Sequence, residues 1–109
     1  MDFETYQEKA LKTAKYPRLG GTYVYPTLGL VGEAGEVAEK IKKITRDNKG
    51  IITKTDKKAL QKELGDVLWY LAALSKELNI NLQDVATTNI KKLQGRQEKN
   101  TLQGEGDDR

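Results

Sequence analysis

The chain has 109 residues, a net charge of +3, and no cysteine or histidine. Those absences exclude disulfides, thiolate chemistry, zinc centres built on His or Cys, and both Ser-His-Asp and Cys-His catalysis. At 37% hydrophobic and 32% charged, the composition suits a single domain of amphipathic helices that buries further apolar surface against copies of itself. In chain order, the first helical pattern runs from about Asp2 to Ala14, with Phe3, Tyr6 and Ala10 on one stripe. A loop rich in Pro, Gly and Tyr follows from Tyr16 to Pro26, and Thr27 is the expected N-cap of the second helix. Leu28, Val31, Ala34, Gly35, Ala38 and Ile41 give that helix an apolar or small stripe, and it should stop near Arg46. Thr55 is expected to cap the third helix, whose buried face reads Leu60, Leu64, Val67, Leu68, Leu71, Leu74 and Leu78. Asn81 opens the fourth, carried by Leu82, Val85, Ala86, Asn89, Ile90 and Leu93.

Periodicity fades after Gly95. The reading is therefore an all-α, four-helix bundle-like protomer over residues 1–95 with a flexible C-terminal tail over 96–109, assembling as a homo-oligomer. No apolar run reaches the roughly eighteen residues of a membrane span. Met1-Asp2-Phe3-Glu4 lacks the basic and apolar regions of a secretory signal. A cytoplasmic setting with no membrane partner is the expectation.

Two short acidic clusters carry the chemistry. Gly32-Glu33-Ala34-Gly35-Glu36 and Glu63-Leu64-Gly65-Asp66 each place two carboxylates three residues apart, on one side of a helix. Two such helices facing each other would gather four carboxylates in a small volume, a repulsive arrangement unless a hard divalent cation sits among them. With no P-loop present, carboxylates, lysines, arginines and a metal are what an enzyme of this composition would use. Glu36-Lys40 and Glu39-Lys43 also have the spacing of ordinary surface pairs, and Glu39 ranks as a peripheral contributor. Gly29, Gly32, Gly35 and Gly65 each cost a helix about 1 kcal/mol relative to alanine. Close helix approach or room for a bulky ligand beside the acids would account for them.

The run Gly29-Leu30-Val31-Gly32-Glu33-Ala34-Gly35-Glu36-Val37-Ala38-Glu39-Lys40, followed by Glu63-Leu64-Gly65-Asp66-Val67-Leu68-Trp69-Tyr70, resembles the MazG-like nucleotide pyrophosphohydrolases. Their hallmark is E-x-x-E followed at a distance by E-x-x-D. Asn89-Ile90-Lys91-Lys92-Leu93-Gln94-Gly95-Arg96 resembles the family's downstream Asn…Lys-Leu…Arg element, and Gly104-Glu105-Gly106-Asp107-Asp108-Arg109 the ending of its compact members. The resemblance implies an all-α fold that assembles as a homodimer or homotetramer. It also implies hydrolysis of nucleoside triphosphates between the α- and β-phosphates. Glu33, Glu36, Glu63 and Asp66 would then be the catalytic carboxylates and ligands of Mg²⁺, with Mn²⁺ as a substitute.

Mg²⁺ would reverse the sign of the site for a polyphosphate and acidify a bound water, whose proton Glu33 or Glu36 could accept. Asn89, Lys92 and Arg96 share roughly one face of the fourth helix and are the residues expected to contact substrate phosphates. Nine Lys or Arg residues from Lys40 to Lys62 stand against Asp47 and Asp56; most are expected to belong to a solvated loop between the two acidic motifs. Tyr23 or Tyr25 could line a nucleotide pocket, while Trp69 and Tyr70 read as core or subunit interface. The rival reading is a non-catalytic helical assembly module with a structural cation site. Nucleic-acid binding ranks last, because the lysines are not interleaved with aromatics and the acids would repel phosphates.

Overall fold

The computed structural model describes residues 1–108. Four helices and no strand are found among them: α1 (Phe3–Leu11), α2 (Val24–Asn48), α3 (Lys54–Glu77) and α4 (Leu82–Glu98). No helix among the described residues is long and apolar enough to cross a membrane.

Each start has a local cause, and two differ from expectation. Asp2 caps α1, its carboxylate accepting from the Thr5 N–H at 2.8 Å. α2 begins at Val24, ahead of Pro26 rather than after it. Proline in a first turn removes an N–H that has no helical partner there, so the helix loses nothing. Thr27 is not the cap; its hydroxyl donates to the Tyr23 carbonyl at 2.7 Å. α3 is capped by Thr53 instead of Thr55, in a reciprocal box where Thr53 Oγ1 accepts from the Asp56 N–H and Asp56 accepts from the Thr53 N–H. Asn81 caps α4 as expected, accepting from the Gln83 N–H at 2.8 Å.

The basic segment is not a loop. Lys40, Lys42, Lys43 and Arg46 belong to α2, and Lys54, Lys57, Lys58 and Lys62 to α3. Only residues 49–53 join the two helices, turned by Lys49 and Gly50 at φ 54° and 76°. So short a link folds α3 back along α2 as a helical hairpin.

α3 is the hub. It packs on α1, α2 and α4, and α1 also touches α4, whereas α2 packs on α3 alone. This is more open than a closed bundle. The radius of gyration is 16.8 Å, against about 13 Å for a compact domain of this length. The buried apolar residues Ala72, Ala73 and Leu82 sit where α1, α3 and α4 meet, and Pro26 is fully buried on α2. Gln7 is buried there too, its Nε2 donating to the carbonyls of Ala72 (3.2 Å) and Ile80 (3.3 Å) while its Oε1 accepts from the Leu82 N–H (3.0 Å).

The face of α2 turned toward α3 is not the expected one. Gly29, Leu30, Glu33, Val37, Lys40 and Ile44 are its half-buried residues, whereas Leu28 and Val31 are 66% and 68% exposed and Ile41 also faces solvent. On α3 and its C-cap, Leu64, Leu71 and Leu78 lie outward at heptad spacing rather than in the core. α4 runs to Glu98, past the expected boundary at 95/96. The described part of the tail lies back on α4 through Asp107. Arg109, the last residue of the expected ending, lies outside the described residues.

Candidate metal centre

The hairpin brings the two acidic clusters together. Glu33 from α2 and Glu63 and Asp66 from α3 each offer a carboxylate oxygen, all within 4.8 Å of one another. Glu33 is on the inner face of α2 because it continues the Gly29, Val37, Lys40 stripe. Glu63 and Asp66 are offset by three residues and converge from α3, Glu63 half-buried and Asp66 open to solvent. Glu36 is exposed and lies outside this group. Its charge still reaches Glu33.

The electrostatics match that geometry. Glu33 is pushed above the usual carboxylate range, first by desolvation and then by the charges of Asp66, Glu63 and Glu36. Lys40, expected to pair along its own helix with Glu36, instead reaches across to Glu63 at 3.7 Å. That is the one ion pair of the cluster among the described residues. Glu39 pairs with Lys42 (2.9 Å) and with Lys43 (3.8 Å), a surface arrangement away from the centre. Three carboxylates with one partial counter-charge are electrostatically incomplete, and all-oxygen donors are what hard divalent cations take. The donor set therefore suits such an ion.

Beside the acids lies an open cavity of about 360 Å³, lined by Thr13, Glu33, Asp66, Trp69 and Tyr70. Trp69 and Tyr70 follow Asp66 by three and four residues, which puts them on its face of α3. They stand edge-to-face at 5.0 Å, and Trp69 Nε1 donates to Thr13 Oγ1 at 2.8 Å. Both aromatics thus wall a cavity at the acid cluster, a role the sequence reading had given to Tyr23 or Tyr25. Tyr23 is exposed, and Tyr25 stacks on Tyr16 at 5.4 Å and 5° and also bonds to Tyr70 behind that wall. The signal for Trp69 and Tyr70 was present in their spacing from Asp66. For Thr13, far away in sequence, there was none.

Gly29 explains how Tyr70 fits. A Cβ at Gly29 would lie 2.2 Å from the Tyr70 ring, so only glycine lets the ring seat against α2. Gly29 is one turn before Glu33 and Tyr70 one turn after Asp66, so this contact sets the helix separation next to the carboxylates. Gly32, Gly35 and Gly65 face open space, where an added Cβ would meet nothing within 4 Å. Tight packing within the protomer accounts for one of the four glycines.

Asn89, Lys92 and Arg96 stand elsewhere. Asn89 and Lys92 line a second open cavity with Ile80, Asp84, Val85 and Thr88. Arg96 is buried at 6% exposure and bonded to the tail. α4, which carries all three, does not touch α2.

The chain is all-α, with a cluster of carboxylates on a helical hairpin whose oxygen donors suit a hard cation, open on one side to an aromatic-walled cavity. The chain belongs to the MazG nucleotide pyrophosphohydrolase family, whose model matches residues 25–101. That stretch holds α2, α3, α4 and all three clustered carboxylates. The chain is similar to the Gene 37 protein of Mycobacterium phage L5, with 46% identity over 114 residues spanning 100% of both chains. No solved structure matches it. Family membership supports a hydrolase in general, in a family that depends on divalent cations.

Proposed function

We propose that the protein hydrolyses ribo- or deoxyribonucleoside triphosphates at the α–β phosphate bond, releasing the monophosphate and pyrophosphate, with Mg²⁺ as cofactor and Mn²⁺ as substitute. The observation that carries this reading is the convergence of Glu33, Glu63 and Asp66 oxygens within 4.8 Å in a chain of this family. Mg²⁺, when bound, would polarise the phosphoryl oxygens and lower the pKa of a water. Glu33, Glu63 and Asp66 would hold it. Glu36, exposed one turn along α2, is free to accept the proton of an attacking water. Trp69 and Tyr70 offer ring faces to the nucleoside, and Thr13 fixes the indole by its hydrogen bond. Asn89, Lys92 and Arg96 stand apart from this centre within one protomer, so in this reading they supply positive charge and donors to substrate phosphates from a neighbouring copy in the assembly.

The working unit in this reading is a homodimer or homotetramer. The expanded protomer and its outward Leu28, Val31, Leu64 and Ile90 support it, because apolar surface left on a small open chain is stabilised by association.

The decisive experiment incubates a panel of ribo- and deoxyribonucleoside triphosphates with the protein and Mg²⁺ and separates the products. Monophosphate plus pyrophosphate is expected, lost on chelation and reduced by at least about 10²-fold in Asp66→Asn. Intact nucleotide across the whole panel would leave a structural cation site as the better reading.

A further inference from the structure

After α4 the chain reverses. Asn100 adopts a left-handed conformation at φ 58°, and the Thr101 N–H donates to the Arg96 carbonyl at 2.7 Å. Gly104 and Gly106 follow at φ 144° and 79°, backbone geometry that glycine adopts without strain. These turns return Asp107 to the flank of α4. There a single oxygen, Asp107 Oδ1, accepts from Lys92 Nζ at 3.1 Å and from Arg96 Nη2 at 3.3 Å. The same Nη2 donates to the main-chain carbonyls of Asp107 (2.6 Å) and Gly106 (3.4 Å). Arg96 Nε is buried with no hydrogen-bond partner among the described residues.

Two cations converging on one oxygen make an anion site, and here the chain's own carboxylate fills it. The Asp107 side chain is 84% exposed while Arg96 beneath it is buried, so the occupant can leave and the receptor stays. Lys92 also borders the open cavity of about 380 Å³ along α4, which gives an incoming anion an approach. A phosphate brings up to about two negative charges where a carboxylate brings one.

We propose that the segment from Gly104 to Asp107 is a self-competing strap, its Asp107 carboxylate occupying the Lys92–Arg96 site until a phosphate group of the substrate displaces it. The proposal rests on the reading of a polyphosphate as substrate and adds a regulator to it. A tethered competitor lowers apparent affinity by the fraction of molecules in which it is bound. Removing its charge raises affinity without touching the receptor.

The test is binding of inorganic pyrophosphate to the full chain in metal-free buffer, followed by calorimetry and by amide resonances of Gly104 and Gly106. Leaving out metal and turnover separates this outcome from the fate of the hydrolase reading. Asp107→Asn is expected to bind pyrophosphate about three- to fivefold more tightly, the scale of an exposed ion pair. Gly106→Ala, which strains the strap instead of neutralising it, should act in the same direction. In the unaltered chain the two glycine resonances should shift along the same titration. Unchanged or weaker binding in Asp107→Asn, with native circular dichroism, overturns the proposal. So does pyrophosphate saturation that leaves the glycine resonances in place.

Discussion

Single residues decide how this small protein responds to pH. Glu77, at the end of α3, accepts from the Tyr16 hydroxyl and from Arg18 Nη1 at 3.0 Å, while Arg18 also lies 5.5 Å over the Tyr16 ring. The Tyr16 hydrogen bond, with Thr22 and Arg18 adding to it, holds the Glu77 carboxyl below the usual range, and Tyr16 is pushed up to about 12 by burial and by Glu77. A carboxyl depressed in the folded state stabilises at pH values above its unfolded pKa and loses that contribution as pH falls through the folded value. Glu77→Gln should therefore cost on the order of 1–2 kcal/mol at pH 7. Its melting curve should converge with that of the parent only once pH has fallen below the lowered folded value of Glu77. Tyr16→Phe should show the complementary pattern, its cost present at neutral pH and fading as pH rises toward 12. Thermal melts across pH measure both. None of this was legible in the sequence, because Tyr16 and Glu77 are brought together by the fold.

At the scale of elements, the α2–α3 crossing is the feature to disturb. Gly29→Ala drives a methyl into the Tyr70 ring, an overpacking that costs about 1–3 kcal/mol against a gain of up to about 1 kcal/mol in helix propensity. The net expectation is a lower melting temperature. Combining it with Tyr70→Leu should cost less than the sum of the two single changes, a coupling that a double-mutant cycle reads directly. The helices themselves were readable. Their number, order and rough extents follow from hydrophobic spacing, and Asn81 was a recognisable cap. The misreadings have physical reasons. Thr53-Lys54-Thr55-Asp56 contains a capping box, and the acid three residues on selects Thr53 over Thr55. Pro26 looked like a boundary but is tolerated in a first turn. The more apolar stripe of α2 faces out because the inner one carries Glu33 and Lys40, polar residues that face Glu63 across the hairpin. Hydrophobicity alone ranks those stripes the wrong way round. Three of the four clustered-acid assignments come together in space, and Glu36 does not, since helical spacing constrains a face only to within a turn.

For the whole molecule, the open arrangement makes an association prediction. If outward Val31 and Leu64, 68% and 57% exposed, meet another copy, the double variant Val31→Arg with Leu64→Arg should elute as a monomer where the parent elutes as a dimer or larger. Light scattering gives the mass, and circular dichroism checks that the helices persist. A parent that is monomeric at tens of micromolar would remove the oligomer from the proposed function. Copy number was not legible in the sequence, because an apolar face on one chain fixes no number of copies.

The buried amide of Gln7 carries a consequence for the cavity beside the acids. A carboxamide is polar in one sense only: it gives hydrogens at one end and takes one at the other, and here both ends are engaged. Glutamate has no hydrogens for the Ala72 and Ile80 carbonyls, and lysine has no lone pair for the Leu82 N–H. α1 is thus keyed, entering its seat one way round like a plug. Thr13 lies just past the end of that helix and lends its hydroxyl to the aromatic wall beside Glu33 and Asp66. The acids belong to the hairpin, but one side of the chamber they open into is hung from a hinge pin on another helix.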